Sequence, residues 1–325
     1  MTLQYSYRPH LPPTRRTRTA TDQVWVDYDP IIDRPPLKWP NDANLAVLIC
    51  PAILDYEFVP PDNPWLDPWA RTSPPDVLGF SRQEFGNRVG FWRVLKLLDK
   101  FNIHPSAVVN VDALERYPDI VAAIKERSWD VLGHGISNTR FIYDYDEATE
   151  RAYYRDMLDR VEALTGMRMK GMGGPGPQAG TENTCDLLAE AGFLYQGDWY
   201  MDDQPFPLRV RAGRLIAMPY PADMMNDVTA LASAEADEYC AAVKAQFDQL
   251  YREGETSGRV LTLALHPALI GQPQRIGQLE RILDYITSFP KVWQATGAEV
   301  AEYYMSNCYD EALRRLDQRG GAECR

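Results

Sequence analysis

The apolar and polar positions of the chain fall into two alternating kinds of segment. A short continuous apolar run stands at 45–50 (LAVLIC), and largely apolar strand segments at 106–111 (SAVVNV) and 260–265 (VLTLAL). Such runs suit strands buried on both faces. Between them, apolar residues recur at helical spacing. Residues 88–102 place Trp92, Leu95, Leu98 and Phe101 on one face, and Pro118 suits the first turn of a helix running to about Arg127. Residues 146–165 read as a longer helix that Gly166 is placed to end. Thr181 is placed to cap a helix ending at Gly192. Further helices are expected over 234–252, 275–288 and 298–305, and further strands over 129–132, 168–172, 193–196, 215–218 and 292–294.

Two stretches escape this rhythm. Residues 1–44 are rich in Pro, Arg and Asp and read as an extended arm, with Trp25, Tyr28 and Trp39 suited to packing on the body or on a neighbouring subunit. Residues 58–82 (FVPPDNPWLDPWARTSPPDVLGFSR) read as a long loop, the kind often used as a lid or binding loop. About eight short strands separated by helices imply an α/β fold with a mainly parallel sheet and helices outside it. The 325 residues divide into the arm at 1–44, one barrel-like domain at 45–310 and a tail at 311–325.

Composition narrows the function classes. The chain is 45% hydrophobic and 25% charged, with a net charge of -12. That balance argues against nucleic acid or an anionic membrane surface as partner, since both select basic patches. No apolar run reaches the 18 or so residues of a membrane span. The first twenty residues are basic but lack an apolar core, so a secretory signal is not expected. The five cysteines include no CxxC pair and read as reduced thiols of a cytoplasmic protein.

In a parallel barrel the working residues follow the strands at the C-terminal rim. Asp55 and Glu57 follow LAVLIC, His134 follows WDVL, Asp198 follows FLYQ and His266 follows VLTLAL. Of four histidines, two stand at strand ends, where imidazole is suited to proton transfer near neutral pH. His104 and His10 read as loop and arm residues. Each rim position alone also fits a structural role: Asp55 and Glu57 as loop caps, His134 as a core histidine, His266 as part of a Pro/Gly turn. Their shared placement is the stronger signal.

Several stretches together resemble the polysaccharide deacetylases, the NodB-like carbohydrate esterase family 4, and within them the cofactor-independent allantoinase-like branch. They are LDYEF (54–58), NRVGFWRVLKLLDKFNI (87–103), ERYPDIVAAIKERSWDVLGHGISN (115–138), LLAEAGFLYQGDWYMDDQPFPL (187–208), MPYPADMMND (218–227) and LHPALIGQPQRI (265–276). The resemblance implies a distorted (β/α)7-type barrel, a homo-oligomer, and hydrolysis of an amide C–N bond. Metal-dependent members use an acidic pair and a His-x-x-x-His. By position, Asp55 matches the base, Glu57 the acidic ligand, His134 the first histidine and His266 the late acid; the second histidine falls on Asn138. An amide is a poor zinc ligand, so no metal is expected; a bound ion would use Glu57, His134 and Asn138. Arg88 matches a position that orients the acidic pair, and its other reading is a solvated arginine at a helix start. Asn138, Asp198, Trp199 and Asn226 are expected to face substrate, and Asp202 and Asp203 either to contact it or to shape a turn. The stretch 171–180 (GMGGPGPQAG) departs from the family's aromatic-proline pattern. The expected activity is hydrolysis of a small cyclic amide, ureide or imide by acid–base activation of water. Alternatives are a metal-dependent carbohydrate N-deacetylase and a non-catalytic barrel that binds a sugar or partner.

Overall fold

The long apolar run predicted to be a strand becomes the spine of the sheet. In the computed structural model, which describes residues 23–60, 75–175, 180–221 and 236–322, β1 (Leu45–Ile53) is buried at every position. One edge of β1 pairs in parallel with β8 (Arg259–Leu265) from Leu45 to Pro51. The other edge is shared: β9 (Val292–Gln294) takes residues 45–47 and β2 (Ser106–Val109) takes 52 and 53. Beyond β2 follow β3 (Asp130–Gly133), β4 (Gly171–Met172), β5 (Tyr195–Gln196) and β7 (Leu215–Ala217), all parallel. β6 (Phe206–Leu208) adds an antiparallel edge to β7.

The two ends of this curled sheet come round to meet. Val260 of β8 donates its N–H to the Asp203 carbonyl at 2.9 Å, and Thr262 Oγ1 donates to the carbonyl of Pro219 at 2.6 Å. The barrel is therefore nearly closed, by single bonds rather than a full ladder. Helices cover the outside. Glu147–Thr165 is capped by Asp146, whose carboxylate accepts from Thr149 N–H, and ends at Gly166 with φ 76°, a left-handed turn that glycine adopts without a Cβ penalty.

The structure corrects several sequence expectations. A helix, Val77–Phe85, starts inside the stretch read as loop. The helix expected over 88–102 is Phe91–Lys100, joined to Val77–Phe85 by a π turn at Gly86–Gly90. The strand β6 was not anticipated. Most of the segment at 311–325 lies in a helix, Tyr309–Ala322, with Tyr309, Ala312 and Leu316 buried. The arm packs on its own chain. Trp39 is 2% exposed and donates from Nε1 to the Arg259 carbonyl at 2.9 Å. The Trp25 carbonyl accepts from Arg209 N–H at 2.7 Å, and Asp29 is held by Arg315 of the last helix at 2.6 Å. Of the three aromatics, Tyr28 alone stays exposed.

Candidate active site

The segment that leaves β1 carries Asp55 and Glu57 toward one loop, residues 137–140, which follows β3. Asp55 accepts from Ser137 Oγ on Oδ2 at 3.1 Å, and its carbonyl accepts from Asn138 N–H at 2.9 Å. The Arg116 guanidinium lies 2.6 Å from its Oδ1. Glu57 accepts from Thr139 Oγ1 at 2.7 Å and from Arg140 at 2.6 Å and 3.1 Å. The two carboxylates therefore differ. Burial pushes the Asp55 carboxyl above the usual range, against the pull of Arg116 and Ser137. Glu57 is held below its usual value, first by hydrogen bonding to Arg140.

His134 stands at the end of β3, half-buried. Its Nδ1 lies 2.8 Å from the Gly173 carbonyl, which makes Nδ1 the protonated nitrogen of the neutral ring. Burial lowers its pKa to about 4, and the nearby His266 adds to that. Asn110, fully buried just past β2, ties the two strand ends together. Its Oδ1 accepts from Asp55 N–H at 2.9 Å, and its Nδ2 donates to the His134 carbonyl at 2.6 Å.

His266 follows β8 and is half-buried. Its carbonyl accepts from Leu269 and Ile270 N–H. The turn it opens rests on the π turn through glycines: a Cβ at Gly90 would come within 2.0 Å of the Pro267 carbonyl oxygen, and one at Gly271 within 2.5 Å of Gly90 Cα. Side chains at either position would push the His266 loop off the barrel.

The remaining expected residues divide. Asn138 is 4% exposed and gives its Nδ2 to Tyr56 Oη at 2.5 Å. Asp198 uses both oxygens on the protein, accepting from Gly174 N–H at 2.8 Å and from Gln196 Nε2 at 2.9 Å. Burial raises its pKa to about 6. Trp199 donates to Gln196 Oε1 at 3.0 Å and packs against Trp25 of the arm, 6.4 Å between ring centres. Asp202 pairs with Arg34 of the arm. Arg88 is exposed; the arginines at the acidic pair are Arg116 and Arg140. Its neighbour Asn87 is the buried one, donating to the Leu54 carbonyl at 2.9 Å. Asn226 and residues 176–179 lie outside the described residues.

Sequence reasoning missed Asn110, Arg116, Ser137, Thr139 and Arg140. Only Asn110 left a signal, a short polar residue directly after an apolar strand.

A divalent ion at the family's position would need Glu57, His134 and Asn138 to converge. Glu57 is taken by Arg140 and Thr139, and Asn138 gives its Nδ2 to Tyr56, so that only its buried amide oxygen, a poor zinc ligand, is left over. Among the described residues, no three His, Cys, Asp or Glu stand close enough to hold a metal. This donor set does not fit the metal-dependent arrangement.

No family model matches the chain. A protein of Schizosaccharomyces pombe that carries the name of a polysaccharide deacetylase is 27% identical over 239 residues, 67% of this chain and 73% of the relative. A solved structure from Pseudomonas aeruginosa PAO1, named a probable polysaccharide deacetylase, superposes with a TM-score of 0.74 at 26% identity, covering 85% of this chain and 96% of that one. In sequence and in fold the chain is similar to the polysaccharide deacetylases. PuuE allantoinase is also similar, with a TM-score of 0.72 at 26% identity over 87% of this chain and 99% of its own. Deacetylases and allantoinases break carbon–nitrogen bonds, and the chain is a hydrolase of that class. No helix among the described residues is long and apolar enough to cross a membrane.

Proposed function

We propose that the chain hydrolyses a C–N bond of a small cyclic amide, a ureide of the allantoin type or an imide, without a metal. The observation that carries this reading is the engagement of Glu57 by Arg140 and Thr139, which leaves Asp55 as the buried carboxylate at the end of β1. Likeness to PuuE allantoinase supports the cyclic substrate.

The roles follow from the protonation states. Asp55, made more basic by burial, takes a proton from water as the water oxygen bonds to the substrate carbonyl carbon. Arg116, beside Asp55, keeps the carboxylate oriented and is a cation near the oxyanion that forms. His134 is neutral down to about pH 4 and its only N–H is committed to Gly173. Its role is that of a neutral ring held in place, with the Asn138 side chain also in hydrogen-bond contact. Protonation of the departing nitrogen falls to His266, and the C–N bond breaks as that proton arrives. Asn138 and Trp199 are proposed to shape the substrate side of the site. The unpaired Cys50, Cys185, Cys240 and Cys308 suit the reducing cytoplasm, and the exposed Tyr28 and Ile32 suit a contact in a homo-oligomer, which light scattering tests.

The test is a panel of cyclic ureides, cyclic imides and N-acetyl sugars, each assayed before and after prolonged dipicolinate treatment. Turnover of a cyclic amide that survives chelation is expected. Turnover of N-acetyl sugars alone, or activity lost to the chelator and restored by Zn²⁺, overturns the reading.

A further inference from the structure

His134 and Asp198 touch opposite sides of a single peptide group. The Gly173 carbonyl faces His134 Nδ1 at 2.8 Å, and the N–H of the same peptide, carried by Gly174, donates to Asp198 Oδ1 at 2.8 Å. We propose that Asp198 is a positioning residue for His134, acting through the Gly173–Gly174 peptide as a relay between carboxylate and imidazole. This deepens the hydrolase reading, on which its catalytic meaning rests.

The geometry is built at each link. Gly174 has φ 69°, in the left-handed region where glycine is at ease, and this turn aims its N–H at Asp198. Gln196 holds the second carboxylate oxygen at 2.9 Å. The Gln196 amide is itself oriented, because its Oε1 accepts from Trp199 Nε1 at 3.0 Å and from Cys185 Sγ at 3.3 Å. On the far side, Gly173 N–H is held by the Gly133 carbonyl at 2.9 Å, one residue before His134. The run from Trp199 to His134 is thus a chain of aligned donors and acceptors. Hydrogen bonds in such a chain polarise one another. A carboxylate on the peptide N–H makes its carbonyl a stronger acceptor, which fixes the proton on His134 Nδ1 and leaves Nε2 as the acceptor nitrogen. A triad aspartate does the same to its histidine by direct contact; here a peptide group stands between them. Asp198 therefore has a role other than touching substrate, and both its oxygens are already engaged.

The experiment is nitrogen-15 NMR of the full chain labelled at histidine, for the wild type, Asp198→Asn and Asp198→Ala, with circular dichroism to confirm folding. The exposed His104 serves as the internal control. The readout needs no substrate, so its failure is separable from failure of the hydrolase reading. The expected wild-type spectrum has neutral His134 in the Nδ1–H form with a downfield, protected proton. Asp198→Asn keeps an acceptor but removes the charge, and is expected to move that proton upfield while His104 stays unchanged. Asp198→Ala is expected to release a mixture of tautomers. A wild-type His134 protonated on Nε2 overturns the proposal even if neither variant folds, as does a His134 signal identical in all three folded proteins.

Discussion

After β1 the rim of the site is held by charge, with Asp55 against Arg116 and Glu57 against Arg140. After β3 and β5 it is held by a run of donors and acceptors from Trp199 through Gln196, Asp198 and a peptide group to His134. The difference has a chemical use. Paired cations keep two neighbouring carboxylates from sharing a proton, a common fate of acids placed this close. A directed hydrogen-bond chain sets which imidazole nitrogen carries the proton, a choice that charge alone does not make. One side of the site is tuned by Coulomb interaction and desolvation, the other by direction.

The comparison breaks first at Asp55. Asp55→Asn is expected to lower kcat by about 10²–10⁴-fold on the true substrate, the usual loss for a general base, and Glu57→Gln by less, because Glu57 is bound outward. Steady-state kinetics on folded variants decide it, and equal losses would show the two carboxylates acting as one unit.

The next effect lies on the imidazole side and appears as stability. The unfolded His134 takes up its proton near pH 6.5, whereas the folded ring waits until about 4. The unfolded state therefore binds more protons in this window, and stability falls as pH drops through it. Urea unfolding at pH 7 and pH 4 should show the wild type losing about 3 kcal/mol more than His134→Gln over that interval. An equal loss would place the imidazole in a more open setting.

Arg116→Gln sharpens the charged side. Removing the cation leaves Ser137 alone to oppose burial at Asp55, so the acid limb of the kcat/KM profile is expected to move to higher pH. A limb that stays in place would assign it to another group. The smallest effect belongs to Arg140→Gln, because Arg140 is 55% exposed. Its loss should cost about 0–1 kcal/mol near neutral pH and shrink in high salt. The stability conferred by the depressed Glu57 carboxyl is present above its unfolded pKa and disappears as pH falls through the folded one. Thermal melts of both proteins across that range check the sign.

Much of this molecule was readable from the chain. β1 and β8 announced themselves as largely apolar runs, and the polar residues directly after them stand at the strand ends. Gly166 and Asp146 mark the ends of their helix by local chemistry. β6 was not readable, since three residues including Pro207 carry no period. The last helix was obscured by its charged residues, although Tyr309, Ala312 and Leu316 form a stripe at helical spacing; that stripe meets β6 and the arm, which the pattern does not reveal. The arm's aromatics were legible as packing residues, but not which surface Trp25 and Trp39 would choose.

The sequence by itself determined the alternation of strands and helices, and with it the barrel and the ring of acids and imidazoles after the strands. These depend on periodicity and on residues adjacent in the chain. Only the tertiary structure decided which arginine meets which carboxylate, that Asn138 turns to Tyr56, and that Asp198 reaches His134 through a peptide group. It also separated Asp55 from Glu57, one pushed up and the other held down. The physical reason is that desolvation and charge act through space: Arg116 and Arg140 lie some 60 and 80 positions from the acids they hold, and no local pattern records that approach.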